Sequence, residues 1–492
     1  MPGPDIYLQD GSETSIAVNY ADGSNLVGSY NASFDFNPDT AHSNSANGNS
    51  SWTSRTFPTG SFTGYPFDPW TTAGNAAGEF FSTLIRNNAS PPTSIQTHSI
   101  ISRSTNGGTS FSLFFERTKN VFQDREMVDI DKTTARGGGS GSTHDGKVYL
   151  CYDDWGAGPF ASFTGAFLQI IASNGSAITE LQLSGLGTPP FRGNKLQPLA
   201  GTTDGNVYIM ANSISGGGAT VFATFHEITN AFSGAGDTVY SKSTLSWPAA
   251  GQQLGSSDRW GLNGHRMDNH GAIDIDRSSG ARRGYLYLIA VRNPNPSNSA
   301  LDQGDVYLSV STDGATNWSS AVIPTASGKT QYFPMLDVDE QGWLHVAYYQ
   351  NETGSSDGGV LNASTANLYY IASFDGGNNW TSPIQINASA NALDFEDPPP
   401  NRAPGYYLIG DYAQIAATGT GPSTKAYVLW TGYDKDRPGG SLGNSKERVL
   451  CTTVPTPTIA CQDGLDNDGN GCADYPCDQG CSSPTDNSET GG

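Results

Sequence analysis

The densest run of titratable side chains in this 492-residue chain is Arg259-Trp-Gly-Leu-Asn-Gly-His265-Arg266-Met-Asp268-Asn-His270, which holds two of its seven histidines. Imidazoles beside guanidinium groups suit proton transfer next to an anion. Carboxylates are the second resource. Asp124, Asp268 and Asp411 each stand just ahead of an apolar run, where two of them could supply acid and base, or acid and nucleophile, for glycosidic cleavage. Tyr412 adds a proton donor beside Asp411. Two chemistries are therefore open: a hydrolase built on the three aspartates, and a lyase in which Arg266 neutralises a uronate while His265, His270 and Tyr412 move protons. The sequence has no phosphate-binding glycine loop, no His-Glu-x-x-His and no Gly-x-Ser-x-Gly.

These residues occupy matching places in an internal repeat. Seven times an apolar strand, a Gly- or Asp-bearing turn and a second apolar strand follow one another, at 14–30, 70–86, 126–152, 196–212, 271–292, 333–349 and 412–430. The modules start 56 to 79 residues apart, enough for four short strands and their loops. No segment keeps a 3.6-residue apolar period, and the 60 glycines and 28 prolines suit many turns. The expected fold is all-β, a seven-bladed β-propeller over 11–455, with six blades if 70–86 is not one. A segment 1–10 precedes it; a linker at 456–460 and a small Cys/Asp-rich tail at 461–492 follow. In a propeller the innermost strands surround a channel, so residues just before them rim one mouth. That places Glu13, Asp68, Asp124 with Arg125, Lys195 with Gln197, Asp268 with His270, Tyr332, and Asp411 with Tyr412 together. Of these, Arg125, Glu13, Asp68, Gln197 and Tyr332, with Arg266, are the expected substrate-binding groups.

Three further segments share one turn: Ser104-Thr-Asn-Gly-Gly-Thr-Ser-Phe111, Ser311-Thr-Asp-Gly-Ala-Thr-Asn-Trp318 and Ser373-Phe-Asp-Gly-Gly-Asn-Asn-Trp380. Gly takes a positive φ, the Asp or Asn oxygen caps backbone N–H groups, and the aromatic packs back on the sheet. This resembles the Asp-box, or BNR repeat, of sialidase-like β-propellers of the bacterial secreted type. Glu13-Thr-Ser-Ile-Ala-Val-Asn19, Phe122-Gln-Asp-Arg125 and Gly410-Asp-Tyr-Ala-Gln-Ile415 carry the same likeness. The resemblance implies a glycan-acting protein with the turns remote from the site. Authentic sialidases also carry an Arg-Ile-Pro segment and a first triad arginine, whereas this chain has no Arg-Ile-Pro and no arginine in residues 1–54. Sialidase activity is therefore not expected, and the lyase alternative is similar to the ulvan-lyase kind of propeller.

With 25 Lys+Arg against 47 Asp+Glu the formal net charge is −22, which argues against a nucleic-acid partner. No apolar run approaches the ~20 residues of a membrane helix. The expected partner is a carbohydrate or cell-surface glycan; the rival reading is a non-catalytic adhesion, surface or assembly module with an extracellular protein partner. The sequence opens Met1-Pro2-Gly3-Pro4 without a signal peptide, yet four of six cysteines crowd at Cys461, Cys472, Cys477 and Cys481, which suits an oxidising, extracellular compartment. Cys151 and Cys451 sit in apolar strands as buried thiols, with a bridge between them left open.

The tail carries the most legible chemistry. Asp466-Asn-Asp468-Gly-Asn470-Gly-Cys472-Ala-Asp474 alternates hard oxygen ligands, with a glycine at the sixth position for the sharp turn. Asp466, Asp468, Asn470, the Cys472 carbonyl and Asp474 would wrap one structural Ca2+. Cys477 stands where an EF-hand has its glutamate, so the loop is closer to dockerin or thrombospondin type 3 loops, and the tail resembles the Asp-rich tails of secreted bacterial proteins. Calcium is expected to protect 461–481 from proteolysis under non-reducing conditions, and Asp466→Ala with Asp468→Ala to abolish that protection. Equal cleavage with calcium and with chelator would leave an acidic linker.

Overall fold

The computed structural model describes residues 5–32, 41–55, 58, 65–87, 96–132, 135–136, 144, 146–156, 163–183, 192–199, 206–214, 220–229, 238–249, 252–253, 260–262, 265–266, 271–297, 302–352, 365–388, 393–394, 407–408, 410, 412–419, 424–433 and 447–454. Among them every regular element is a strand, and the strands form a seven-bladed β-propeller. The innermost strands of blades 1 to 7 are Asp5–Asn19 (its second half), Tyr65–Ala73, Phe122–Ile130, Arg192–Leu199, Ala272–Ile275, Gln331–Val338 and Gln414–Thr418. They match the seven modules of the sequence repeat, 70–86 included.

Closure is by strand exchange. Residues 5–10 pair antiparallel with Glu447–Val454 as the outermost strand of blade 7, while 11–19 pair with Asp22–Ala32 of blade 1. One strand thus belongs to two blades. A separate small sheet of Gln252–Gln253, Trp260–Leu262, His265–Arg266 and Tyr407–Leu408 joins the segments leading into blades 5 and 7.

The apolar core lies between neighbouring blades. Met210 and Phe225 of blade 4 pack with Ile273 and Leu288 of blade 5; Tyr349 and Leu368 of blade 6 pack with Val428 and Trp430 of blade 7. Cys151 and Cys451 are buried, free, and in separate clusters, so no bridge joins them. His345 is fully buried between Asp339 (3.1 Å) and the Tyr370 hydroxyl (2.7 Å).

An innermost strand is also a sheet edge, and its outward N–H groups need acceptors. Side chains of the adjacent blade supply them. Ser15 Oγ accepts from Thr71 N (2.8 Å), Asp68 from Arg125 N (3.3 Å), Gln197 from Ile273 N (3.5 Å), Asp274 from Val338 N (2.8 Å), Asp337 from Ala417 N (2.6 Å) and Gln414 from Ile16 N (3.1 Å).

Three of those acceptors are buried carboxylates, and two of them, Asp274 and Asp337, are met together with Asp129 by cations. Arg136, crossing from blade 3, donates two bonds to Asp337 (2.8 and 3.0 Å) and reaches the Val338 carbonyl (2.5 Å). Arg277 spans Asp274 (2.6 Å) and Asp129 (3.0 Å), and Lys132 meets Asp129 (2.9 Å) and Thr72 (3.0 Å). Three cations against three aspartates plug this end of the channel. Burial alone would lower Arg136, but Asp337, Tyr20 and Glu340 hold it well above its ordinary value. Burial pulls Asp337 toward its neutral form. The geometry, three N–H donors on its two oxygens, is that of the ionised form.

Among the described residues the shared turn occurs four times, one more than the three copies of the sequence pattern. In each copy the serine hydroxyl bonds the Asp or Asn side chain two residues on and accepts the N–H four residues on. The fourth copy is Ser45-Ala-Asn-Gly-Asn-Ser-Ser-Trp52, whose fifth position is Asn49 at φ 73° where the others have Gly or Ala.

Arg136→Met is expected to destabilise the chain by about 3–5 kcal/mol, because Asp337 is then buried without its cation. Asp337→Asn on that background should restore part of the loss. Guanidinium unfolding reads both; a change below ~0.5 kcal/mol in the single variant would mean the plug is not a buried ion pair network.

Candidate functional site

Five innermost strands carry a bulge at the end opposite the plug. Two residues face one partner at Glu13-Thr14, Asp68-Pro69, Arg125-Glu126, Gly193-Asn194 and Phe333-Pro334. Glu13 (φ 54°), Asp68 (53°), Arg125 (57°) and Phe333 (55°) sit in the left-handed region there. Non-glycine residues in that region cost of order 1–3 kcal/mol each and cluster at functional sites. Gly410 of blade 7 lies beside this bulge row at φ 110°, where a Cβ would stand 2.5 Å from Glu13 N, so only glycine fits.

Three bulges are joined by side chains. Asn31 Nδ2 donates to Glu13 Oε2, Asn31 Oδ1 accepts from Asp68 N (3.1 Å), and Asp68 Oδ2 accepts from Arg125 N (3.3 Å). The result is an acid, an amide, an acid and a guanidinium residue in a row across blades 1, 2 and 3. Glu13, Asp68 and Arg125 are largely buried and Asp124 is half-buried. Tyr412 packs edge-on against Trp70 (5.5 Å) while its carbonyl accepts from Thr14 N (3.2 Å), which ties blade 7 to the same row.

The other expected site residues fall elsewhere. Gln197 faces the channel below the bulges, its Nε2 on the Ile273 carbonyl (2.7 Å). Tyr332 is 1% exposed and stacks on Tyr349 (5.5 Å) within the blade 6 and 7 core. The backbone of His265 and Arg266 belongs to the small separate sheet. Asp268, His270 and Asp411 lie outside the described residues, as do Asp466, Asp468, Asn470, Cys472 and Asp474 of the expected calcium loop and the four tail cysteines. Among the described residues no three His, Cys, Asp or Glu side chains are grouped to hold a metal ion, and no helix is long and apolar enough to cross a membrane.

Sequence reasoning missed Asn31, which stands on a second strand and not ahead of an innermost one. It also missed the plug, although the pattern Val128-Asp-Ile-Asp131, Ile273-Asp-Ile-Asp276 and Leu336-Asp-Val-Asp339 repeats the channel aspartates in three blades.

No protein-family model and no curated protein matches the sequence. Solved structures share the strand layout at low identity. The α-L-arabinanase of Penicillium chrysogenum complexed with arabinobiose superposes with a TM-score of 0.43 at 9% identity, over 93% of this chain and 99% of that one. The GH93 α-L-arabinofuranosidase of Fusarium graminearum gives 0.41 and 9%, over 75% and 97%. The NanB sialidase of Streptococcus pneumoniae gives 0.37 and 13%, over 92% and 70%. No residue of this chain takes a role from these superpositions.

If the bulge residues are held in a strained backbone for their side chains, truncation will show it. Glu13→Gly and Asp68→Gly are each expected to be more stable than the matching alanine variant by about 1 kcal/mol, since both lose the side chain and only glycine relieves the left-handed backbone. Thermal unfolding of the four variants reads the difference, and alanine equal to glycine would refute the strain.

Proposed function

We propose that the chain is a glycan-acting hydrolase whose site is the unplugged mouth of the channel, and that its substrate is a neutral glycan. One observation carries this reading: Glu13, Asn31, Asp68 and Arg125 form a continuous polar row over three blades, on left-handed bulges, at the end of the channel the plug leaves open. Convergent polar groups at a concave end are the usual ground plan of a ligand site. Two carboxylates bridged by one amide supply the pair that glycoside hydrolysis needs, and Asp124 beside them is a third.

Charge supports the neutral substrate. Glu13, Asp68, Asp124 and Arg125 stand on or beside these bulges in a chain of net charge −22. A uronate or sialate would meet repulsion there, which disfavours both a lyase and a sialidase. In the hydrolytic reading one carboxyl protonates the leaving oxygen while the other activates water or attacks the anomeric carbon. Arg125 and Asn31 orient sugar hydroxyls.

A screen of neutral, uronate-containing and sialylated glycans tests this directly. Turnover is expected in the neutral set only. Glu13→Gln and Asp68→Asn should each lower kcat by about 10²–10⁴-fold with the fold intact. Binding without turnover in wild type, unchanged by either substitution, would favour the non-catalytic module.

A further inference from the structure

Behind Arg125 on the same bulge stands Glu126, 2% exposed, with its side chain turned away from the mouth into the seam between blades 2 and 3. Its carboxyl meets two hydroxyls of blade 2: Thr83 Oγ1 donates to Oε2 (3.0 Å), and Ser99 Oγ lies against Oε1. Ser99 has a second partner, Gln123 Oε1, at 2.9 Å. The Gln123 amide is oriented from its far side, where Nε2 donates to Asp154 Oδ1 (2.9 Å), so its oxygen is the acceptor that faces Ser99.

Counting protons then settles who donates to whom. A serine hydroxyl has one hydrogen. Gln123 Oε1 has none and takes it. The Ser99–Glu126 bond therefore needs its hydrogen from Glu126, and a carboxylate has none to give.

We propose that Glu126 is a neutral carboxylic acid whose proton, donated to Ser99, locks the blade 3 bulge and so holds Arg125 at the channel mouth: a positioning residue for the site. The Arg125 half of this statement rests on the mouth being the site; the proton on Glu126 does not.

The charges around it agree. The seam runs outward through Asp154 to Lys119 (2.6 Å), from Lys119 to Glu180 (2.8 Å) and from Glu180 to Arg117 (2.8 Å). With Glu126 neutral, two carboxylates meet two cations; ionised, it would make three against two. His98 and Glu116 pair with each other at 3.4 Å beside Ser99. On the channel side Asp68, Asp124, Asp153, Arg86 and Arg125 are the charged residues on the strands of blades 2 and 3 around the bulge. Burial raises the Glu126 carboxyl to about 8; the Thr83 bond and Arg117 oppose that rise, and Asp154 adds to it.

The sign of the pH effect follows. Opening the seam returns Glu126 to an ordinary carboxyl that releases its proton, so opening becomes easier as pH rises from about 5 to about 8. Above that the group is ionised in both states and the dependence ends.

Two readouts that need no glycan test this. The first is infrared spectroscopy of chain carrying carbon-13-labelled glutamate. A protonated-carboxyl band is expected at pH 6.5, lost in Glu126→Gln and kept in Glu340→Gln, whose buried carboxyl is also raised. The second is hydrogen exchange of the 122–130 segment, corrected for intrinsic rate. Wild-type protection should fall by up to about tenfold per pH unit between pH 5 and 8. Glu126→Gln, which keeps a donor for Ser99, should hold it level. No protonated glutamate in wild type at pH 6.5, or the same slope in both proteins, overturns the proposal; the wild-type band needs no variant to fold. A level slope in Glu126→Gln with no effect of Asp68→Asn on any glycan would instead refute the mouth as the site and leave the neutral acid standing.

Discussion

Seven sheet edges converge on the axis of this protein, and their N–H groups have no strand to pair with. That constraint organises the rest. A buried amide without an acceptor costs as much as a lost hydrogen bond, and each innermost strand presents such amides along its length. The chain answers with side chains from the neighbouring blade: a serine between blades 1 and 2, Asp68 between 2 and 3, Gln197 between 4 and 5, aspartates between 5 and 6 and between 6 and 7, and Gln414 between 7 and 1. These bonds set the blade spacing before any apolar packing between blades is considered.

The choice of acceptor then dictates the electrostatics. Asp274 and Asp337 satisfy amides well, but a buried carboxylate must itself be neutralised, and Arg277 and Arg136 are brought in to do so. Because each guanidinium is long and forked, it bonds more than one blade at once. Arg136 reaches from blade 3 to backbone oxygens of blades 6 and 7 and stacks over the Tyr20 ring at 4.2 Å. The channel is thereby closed at one end by the same groups that hold its wall together.

Much of the architecture was legible in the residues. The strand–turn–strand modules marked every blade, because an innermost strand buried on both sides has a nearly continuous apolar run. The Ser-x-Asp/Asn-Gly turns were legible for a similar reason: successive left-handed residues and a side-chain cap leave few substitutes. The fourth copy escaped because Asn49 tolerates the left-handed region almost as glycine does, so a pattern written in Gly and Ala passes over it. Strand exchange at 5–10 was not legible, since the strand runs on past its change of partner. For the candidate site, the position ahead of each innermost strand picked out Glu13, Asp68 and Arg125, which stand on the left-handed bulges, but also Tyr332, which has the same place in the repeat and packs into the core. Position in a repeat fixes where a backbone stands. Which way a side chain turns depends on the neighbouring blade, and that information is hundreds of residues away in sequence.

Asp68 shows how structure and chemistry share one residue here. Its Oδ2 accepts an amide of the next blade, as Asp274 and Asp337 do, yet its backbone is left-handed and theirs is ordinary strand. At the plugged end Asp129, Asp274 and Asp337 each meet a cation, and Glu340 approaches Arg136 at 4.0 Å. At the bulged end Glu13, Asp68 and Asp124 meet Arg125, and the polar row that joins them runs through a neutral amide, Asn31. A scaffold that needs acceptors at both ends would be served equally by neutral side chains at the mouth, as Gln197 and Gln414 serve elsewhere in the ring, without strained backbone. Acidic side chains on strained bulges are therefore what the fold alone does not require.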